Sequence, residues 1–287
     1  MRGSFTATGT PAHADSRTRR VLVTGAAGRI GSYFAAHTHG AYRLRLMVQD
    51  PAQAAALEGY GEVVVAGLDD LERLKSLCQG IDTVVHLAGD PSPDATWHNL
   101  LQTNIIGTYH TFVAAKAAGC RRVVYASSIH AVSGYPADVQ VKAGDPVNPG
   151  DLYGVSKCFG EALGRYMAEQ EGLSLIALRI GAFQPLEAIQ QESGLPYLDA
   201  FVSRRDLRQL IERCIEVEDV RFAVLHGLSV NRFKRLDISE ARALVGYAPQ
   251  DDALAELPQL KDQRVRDAVD AHNLSDAGQE SGLRDDL

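Results

Sequence analysis

The chain has 287 residues, of which 45% are hydrophobic and 23% are charged, proportions typical of a globular protein with a substantial core. Its formal net charge of −7 and its scattered basic residues argue against a nucleic-acid partner or an anionic membrane surface. No apolar run approaches the roughly 18 residues of a membrane span, and the first nineteen residues lack the apolar segment of a signal peptide. The four cysteines are widely spaced without a C-x-x-C pair, so we expect reduced thiols and a cytoplasmic protein.

Apolar segments alternate with amphipathic segments along most of the chain. The apolar segments predict strands at Val21–Thr24, Tyr42–Val48, Glu62–Ala66, Asp82–Gly89, Arg121–Ser128, Leu173–Gly181 and Arg221–Leu225. The amphipathic segments predict helices that start at Arg29 and that cover Leu71–Gln79, Trp97–Ala118, Leu152–Glu171, Arg205–Val217 and Ser239–Val245. This alternation predicts an α/β fold, in which a doubly wound parallel sheet is covered by helices on both faces.

Three glycines follow the first predicted strand, in the segment "VLVTGAAGRIGSYF". Gly25 would permit a tight turn, Gly28 a close approach of the backbone to a pyrophosphate, and Gly31 close packing of the following helix. The N-terminus of that helix would hold the phosphate. The spacing between strand and helix therefore predicts a dinucleotide-binding site, which includes Arg29 and Ile30 between the glycines.

A site of this kind usually carries a carboxylate near the second strand, where it binds the ribose hydroxyls. Asp50 is the candidate, and it favours NAD over NADP because its charge would repel a 2′-phosphate. Two alternatives remain open. Asp50 is a turn residue before Pro51, or Arg29 and Arg45 meet a 2′-phosphate.

The segment "DLYGVSKCFGE" places Tyr153 and Lys157 four residues apart in a predicted helix. Residues at this spacing share one face of a helix. A lysine ammonium in this position is expected to lower the pKa of the tyrosine and make the phenol a general base. The pattern alone is common, so a half-exposed helix face is the alternative interpretation.

Further motifs occur in order and at suitable intervals: "HLAG" (His86–Gly89), "NIIGT" (Asn104–Thr108), "YASS" (Tyr125–Ser128) and "YGVSK" (Tyr153–Lys157). With the glycine motif they resemble the extended short-chain dehydrogenase/reductase family over about residues 20–250. The resemblance implies that Ser128, Tyr153 and Lys157 form a catalytic triad and that Asn104 completes a proton relay. It also implies cofactor contacts from Leu68, Leu87, Ala88, Gly89, Asn104, Tyr153, Lys157 and Ile180.

On this resemblance we expect four parts. They are a flexible extension over residues 1–19, a Rossmann dinucleotide-binding domain with the catalytic residues over 20–181, a small substrate-binding portion over 182–260 and a mobile charged tail over 261–287. The resemblance also implies a homodimer through the helices Trp97–Ala118 and Leu152–Glu171.

The segments "NIIGTYHTF", "YASSIHAVSGYP" and "LYGVSKCFGE" are similar in sequence to those of the uronate dehydrogenase branch and of related NAD-dependent sugar dehydrogenases. Those enzymes oxidise the anomeric carbon of a free sugar to a lactone. The similarity implies substrate contacts from Ser92, Ser128, Ile129, His130, Tyr153, Gly181 and Asp199. For Ser92 a turn residue, and for His130 a packing histidine, are the alternatives.

Two positions depart from that branch. Ile129 stands where the branch usually has Asn, which removes a hydrogen-bonding group from the sugar site. Asp199 aligns with the arginine that would bind the carboxylate of a uronate. Both changes favour a neutral sugar, although Arg204 and Arg205 lie a few residues on.

The first interpretation is therefore an NAD(P)-dependent oxidoreductase that oxidises a hydroxyl of a small sugar or polyol. A nucleotide-sugar epimerase or dehydratase with tightly bound NAD is the alternative among enzymes. It is disfavoured because the short segment after Gly181 offers little surface for a nucleotide. A non-catalytic dinucleotide-binding sensor is the other alternative, and the intact triad argues against it. The nine histidines show no metal-ligand spacing, so we expect no metal.

Overall fold

The computed structural model describes residues 18–189 and 198–255. Residues 1–17 of the predicted N-terminal extension and the whole predicted tail from residue 261 lie outside the described residues. The division of the chain into four parts stays a prediction.

Nine strands are present in these ranges: β1 (Arg20–Thr24), β2 (Arg43–Val48), β3 (Glu62–Val65), β4 (Thr83–His86), β5 (Arg122–Ser128), β6 (Ser174–Ile180), β7 (Ala182–Gln184), β8 (Phe201–Ser203) and β9 (Phe222–Gly227). Seven of them form one parallel sheet in the order β3-β2-β1-β4-β5-β6-β9, and β7 pairs with β8 separately. The chain order reverses between β1 and β4. In an open α/β sheet, the crevice at the carboxyl ends of the strands at such a reversal is where ligands bind.

The helices are α1 (Arg29–Thr38), α2 (Leu71–Cys78), α3 (Trp97–Asn99), α4 (Gly107–Ala117), α5 (Leu152–Glu169), α6 (Leu186–Ile189), α7 (Arg204–Glu216) and α8 (Ser239–Val245). Three of the longer helices begin at side-chain caps. Asp70, Asp151 and Ser203 each accept a hydrogen bond from the backbone N–H three residues on, which satisfies one of the free donors of the first turn.

The core consists of two layers, one on each face of the sheet. On one face Val23 and Val85 pack with Phe34 of α1 and Leu207 of α7. On the other face a second buried cluster joins the sheet to α2, α4 and α5, through Leu22, Val84, Leu74, Phe112 and Met167. The alternation of side chains along each strand produces these two layers. The doubly wound parallel α/β fold that the sequence predicts is confirmed.

Three local features were not predicted. The predicted single helix over 97–118 contains a π-helical segment, Leu100–Ile106, between α3 and α4. Short 3₁₀ helices cover Pro51–Leu57 and Ile129–Val132. The segment after Gly181 forms β7, α6 and β8, a small second sheet beside the main one.

Within the described ranges, no helix is long and apolar enough to cross a membrane. The same residues contain no group of three or more His, Cys, Asp or Glu side chains that could hold a metal ion.

Candidate active site

The predicted glycine turn lies at the carboxyl end of β1, directly in the sheet crevice. Gly25 has φ +65°, a left-handed conformation that favours glycine. A Cβ at Gly25 would lie 2.8 Å from the backbone nitrogen of Ala88, and one at Gly31 would lie 2.5 Å from the oxygen of Gly25. Both positions therefore require glycine for close packing of the turn, the next loop and α1.

The N-terminus of α1 has the properties of an anion site. Its cap residue Gly28 has no side chain to bond the first-turn N–H groups, and the first turn carries no acidic residue. Such uncapped N–H groups, together with the helix dipole, favour a bound phosphate. Ile30 is partly buried against the core layer of α1 and α7, so its side chain anchors the turn.

Asp50 lies two residues beyond β2 and caps the 3₁₀ helix that follows. Its carboxylate accepts a hydrogen bond of 2.8 Å from the Ala52 nitrogen, and Gln53 completes a capping box. The turn role that the sequence left open is therefore present, and the predicted contact with the ribose stays a prediction.

Internal partners hold both arginines that were considered for a 2′-phosphate. Arg45 pairs with Glu62 at 2.8 Å and donates to the Leu77 carbonyl at 2.6 Å. Arg29 donates to the Phe183 carbonyl and to the Gln184 side chain, each at 2.7 Å. Arg29 thus links the glycine turn to β7.

His86 of the "HLAG" motif is a structural residue. Its ring lies between Thr24 and Thr108, with nitrogen–oxygen distances of 2.8 and 3.3 Å. Burial lowers its pKa to about 3, so the ring is neutral. The adjoining Ala88 nitrogen donates to Thr24 Oγ1 at 3.2 Å, which fixes the path of Leu87–Gly89 at the carboxyl edge. Sequence reasoning had assigned no role to Thr24 or Thr108.

Asn104 lies in the π-helical segment and holds the loop after β4. Its Oδ1 accepts from the Asp90 nitrogen at 2.8 Å, and its Nδ2 donates to the Asp90 carbonyl and to Ser156 Oγ, each at 3.0 Å. A single-turn π-bulge within a helix is often found at a functional site. Both ends of this amide are occupied, so Asn104 positions the loop that contains Asp90. Its part in a proton relay stays a prediction.

Ser128, Tyr153 and Lys157 come together as predicted, from the end of β5 and the first two turns of α5. They are 6%, 8% and 6% exposed, so the half-exposed helix face is ruled out for Tyr153 and Lys157. Ser128 lies near Tyr153, and its hydroxyl acts to lower the pKa of the phenol. Lys157 Nζ lies 5.4 Å from the centre of the Tyr153 ring and donates to the Ala126 carbonyl at 2.9 Å.

The expectation that Lys157 lowers the pKa of Tyr153 is wrong for this structure. Burial, which disfavours the phenolate, raises the pKa of Tyr153 to about 12, and the hydrogen bond with Ser128 opposes this only in part. The carboxylates of Asp151 and Asp90 raise it further. Burial also lowers the pKa of Lys157 to about 8. The spacing of Tyr153 and Lys157 in the sequence predicted that they lie close together. It could not predict the loss of hydration that raises the pKa of Tyr153.

His130 is bound to Asp151, a residue that sequence reasoning missed. His130 Nδ1 and Asp151 Oδ2 are 2.6 Å apart, and the His130 ring packs edge-on against the Tyr153 ring with centroids 5.3 Å apart. The histidine is thus more than a packing residue. The available signal was the helix-capping position of Asp151, but its partner lies 21 residues away in sequence.

The remaining predicted substrate residues have different surroundings. Ile129 is 7% exposed and packs in an apolar cluster with Ala200 and Leu236. Ser92 forms a turn, since its hydroxyl accepts from the Asp94 nitrogen at 3.1 Å. Gly181 follows β6, and a Cβ there would lie 2.1 Å from the Ala200 carbonyl.

Three further residues were predicted to contact the cofactor or the substrate. Ile180 ends β6 beside Ser128 in the sheet register. Leu68 packs over Gly107 at the start of α4, where a Cβ would meet its side chain at 2.7 Å. Asp199 is 2% exposed, and its backbone accepts from the Arg235 nitrogen at 3.0 Å.

The carboxylate of Asp199 has a cationic neighbour. Burial lowers the pKa of Arg235, and the charge of Asp199 opposes that change by attraction. The sequence-based expectation treated Asp199 as an isolated negative charge facing the substrate. Its neighbour weakens the repulsion of a uronate that was expected from this residue.

Comparison with known proteins agrees with this geometry. Residues 21–183 match the model of the NAD dependent epimerase/dehydratase family. An NAD-dependent glucose-6-phosphate dehydrogenase from Haloferax volcanii is 35% identical over 81% of this chain and 94% of its own. An L-arabinose 1-dehydrogenase (NAD(P)(+)) from the same organism is 34% identical over 82% of this chain and 97% of its own.

A solved structure shows the same fold. It is a mutant of uronate dehydrogenase from Agrobacterium tumefaciens complexed with NAD, which is 32% identical to this chain with a TM-score of 0.75. The similarity covers 86% of this chain and 90% of that one. The resemblance to uronate dehydrogenases and other NAD-dependent sugar dehydrogenases is confirmed.

Proposed function

The chain belongs to the NAD dependent epimerase/dehydratase family, and on this premise we propose that it oxidises the anomeric hydroxyl of a small sugar with NAD. The observation that carries the proposal is the buried contact of Ser128, Tyr153 and Lys157 at the carboxyl edge of the sheet. A phenol buried at this position, beside a serine hydroxyl and a lysine, is arranged for proton transfer.

The glycine turn and α1 fit the cofactor. The site lacks Cβ atoms where a pyrophosphate would approach, and the first-turn N–H groups of α1 have no side-chain cap. Lys157, next to the loop that ends at Gly89, would hold the nicotinamide ribose. When bound, NAD supplies the hydride acceptor and, in its oxidised form, a positive charge near the phenol.

Each of the three side chains has a distinct task in the reaction. Tyr153 would take the hydroxyl proton of the substrate, and with NAD bound the carbon that bears this hydroxyl would lose a hydride, so that the C–O single bond would become a carbonyl. Ser128 donates a hydrogen bond to the substrate oxygen and keeps it against the phenol. Lys157 would hold the nicotinamide ribose, and Asn104 positions the loop after β4 through its bonds to Asp90.

The high pKa of Tyr153 in the ligand-free structure is compatible with this role. Burial is its main cause, and burial penalises only the charged phenolate. A positive charge brought next to a buried phenol has the opposite effect and lowers its pKa. We therefore propose that Tyr153 becomes a competent base only in the complex with NAD.

Three relationships support a small sugar as substrate. The relatives above are named for glucose 6-phosphate and L-arabinose, and the solved structure for a uronate. The segment between β6 and β9 is short, which leaves little surface to bind a nucleotide. The neighbourhood of Tyr153 contains the carboxylates of Asp90 and Asp151, which favour an uncharged sugar over an anionic one.

A homodimer through α4 and α5 is part of the proposal. Tyr109 on α4 and Tyr166 on α5 are 48% and 50% exposed, on two helices that pack together. Val155 on α5 is also exposed. Apolar residues clustered on neighbouring helices are typical of an interface between subunits. Light scattering on the purified protein measures the mass directly.

We also propose that the protein is located in the cytoplasm, because free cysteines are typical of proteins in a reducing compartment. The four cysteines are all free, and three of them are buried. Fractionation of the producing cells tests this.

The test of the function is a steady-state screen that follows NADH absorbance with aldoses, uronates, aldose phosphates and polyols. We expect NADH to form with at least one free aldose or aldose derivative. Interconversion of a nucleotide sugar without net NADH, with NAD retained on the purified protein, would instead support an epimerase. Binding of NAD without turnover of any of these compounds would support a sensor.

A further inference from the structure

The contact between His130 and Asp151 has a geometry that the reaction above does not use. The two oxygens of the Asp151 carboxylate have separate partners. Oδ1 accepts the Gly154 nitrogen at 2.6 Å and caps α5, while Oδ2 lies 2.6 Å from His130 Nδ1. The side chains of His130 and Asp151 are 18% and 11% exposed, so water competes little with either contact.

An ionised carboxylate can only accept hydrogen bonds. Nδ1 of His130 must therefore carry the proton that lies between the two residues. In the neutral imidazole only one ring nitrogen is protonated, so the other, Nε2, presents a lone pair. The hydrogen bonds that His130 makes with other described residues involve its backbone nitrogen, its backbone oxygen and Nδ1.

The His130 ring lies next to the proposed catalytic residues. The rings of His130 and Tyr153 are in edge-to-face contact, with centroids 5.3 Å apart and an interplanar angle of 66°. His130 follows Ser128 by two residues, and its backbone nitrogen donates to Ser128 Oγ at 3.2 Å. The ring of His130 thus contacts Tyr153, and its backbone contacts Ser128, the two residues that would hold the substrate oxygen.

We propose that Asp151 is a positioning residue for substrate recognition, which fixes His130 as a hydrogen-bond acceptor for the hydroxyl next to the oxidised carbon. This inference rests on the proposed function and adds to it a rule of selection. The site selects a substrate that carries a donor hydroxyl at that neighbouring carbon. A deoxy analogue at that carbon is a poor substrate because it leaves Nε2 without a partner.

The variant Asp151→Asn tests which ring nitrogen of His130 carries the proton. The amide oxygen can keep the cap on Gly154, while the amide NH₂ donates to Nδ1. The histidine proton must then move to Nε2, which becomes a donor. Asp70→Asn is the matched control, because Asp70 caps α2 with the same side chain and lies outside the site.

The kinetic readout compares the free aldose that gives the highest kcat/KM in the NADH screen with the 2-deoxy form of the same aldose. In the parent enzyme, and in Asp70→Asn, we expect kcat/KM to favour the hydroxyl form by about tenfold or more. In Asp151→Asn the kcat/KM values of the hydroxyl and deoxy forms should differ by no more than about threefold, mostly because KM changes. The NAD affinity and the Tm of this variant should match those of Asp70→Asn. In a His130→Ala background, Asp151→Asn should have no further effect on the ratio. A ratio that survives Asp151→Asn overturns the proposal.

Nitrogen-15 NMR of the His130 ring tests the same point in the absence of any substrate. We expect a proton on Nδ1 in the parent protein and on Nε2 in Asp151→Asn. A proton on Nε2 in the parent, or a doubly protonated ring at the assay pH, overturns the proposal. If no sugar in the screen is oxidised but the ring has the expected protonation, the error lies in the proposed function and not in the assignment of the Asp151 contact.

Discussion

Glu161 on α5 and Arg179 on β6 form a doubly hydrogen-bonded ion pair, with distances of 2.9 and 2.8 Å, at the level of the catalytic residues. Their side chains are 6% and 3% exposed. Ser127, which precedes Ser128, donates to the same carboxylate at 2.6 Å. The pair therefore connects α5, which carries Tyr153, to the two strands on which the active site is built.

Replacing Glu161 with Gln should destabilise the protein strongly, since it leaves the Arg179 charge buried without a counter-charge. The expected loss is about 3–5 kcal/mol in the free energy of unfolding. Urea denaturation measures this. Glu72→Gln is the control, because the Glu72–Lys75 pair is exposed and should contribute less than about 1 kcal/mol. Equal effects of the two substitutions would show that the buried pair is not a stabilising contact.

Replacing Tyr153 with Phe should lower kcat by about 10²–10⁴-fold, because only the oxygen that accepts the proton is removed. The phenol oxygen acts in the transition state and not in the binding of NAD, so the affinity for NAD should change little. Steady-state kinetics and a cofactor titration by fluorescence measure the two quantities. Retention of more than a tenth of the parent kcat would remove Tyr153 from the mechanism.

We expect a preference for NAD over NADP, since Asp50 lies beside the expected ribose position and both candidate arginines are engaged elsewhere. Asp50→Asn keeps a cap oxygen for Ala52 but removes the charge. It should raise the kcat/KM for NADP relative to NAD by about fivefold or more, with little change in Tm. If the parent enzyme itself favours NADP tenfold, Asp50 does not face the ribose.

A neutral aldose should be a better substrate than the matching uronate. The sequence-based reason, Asp199, is weakened by its neighbour Arg235, but Asp90 and Asp151 still place negative charge around Tyr153. The test compares kcat/KM for D-glucose with glucuronate, and for D-galactose with galacturonate, at saturating NAD. A uronate preferred by tenfold or more would mean that an arginine near the site binds the carboxylate.

The sequence predicted those features that depend on local pattern. The alternation of apolar strands and helices, the glycine turn at Gly25–Gly31 and the spacing of Tyr153 and Lys157 each follow from neighbours along the chain. The pKa of Tyr153 was predicted in the wrong direction, because desolvation depends on the whole packed environment. The His130–Asp151 contact was missed, because a helix cap carries no information about a second partner from another loop.

The π-helical segment Leu100–Ile106 and the capping role of Asp50 show the same limit. A π segment has the composition of an ordinary helix, so nothing in "LLQTNII" distinguishes it. The position of Asp50 after the second strand predicted a ribose ligand or a turn residue, and its hydrogen bond with Ala52 adds a capping role that the sequence alone did not give.

Transfer of the hydrogen from the anomeric carbon is the most direct test of the account. An aldose that is oxidised in the NADH screen is supplied with deuterium at C1, and the reduced cofactor is isolated and examined by proton NMR. We predict that the deuterium appears on the nicotinamide C4, and that the sugar product is the lactone. Unlabelled NADH from the C1-deuterated sugar would contradict the account, since it would show that the hydride leaves another carbon.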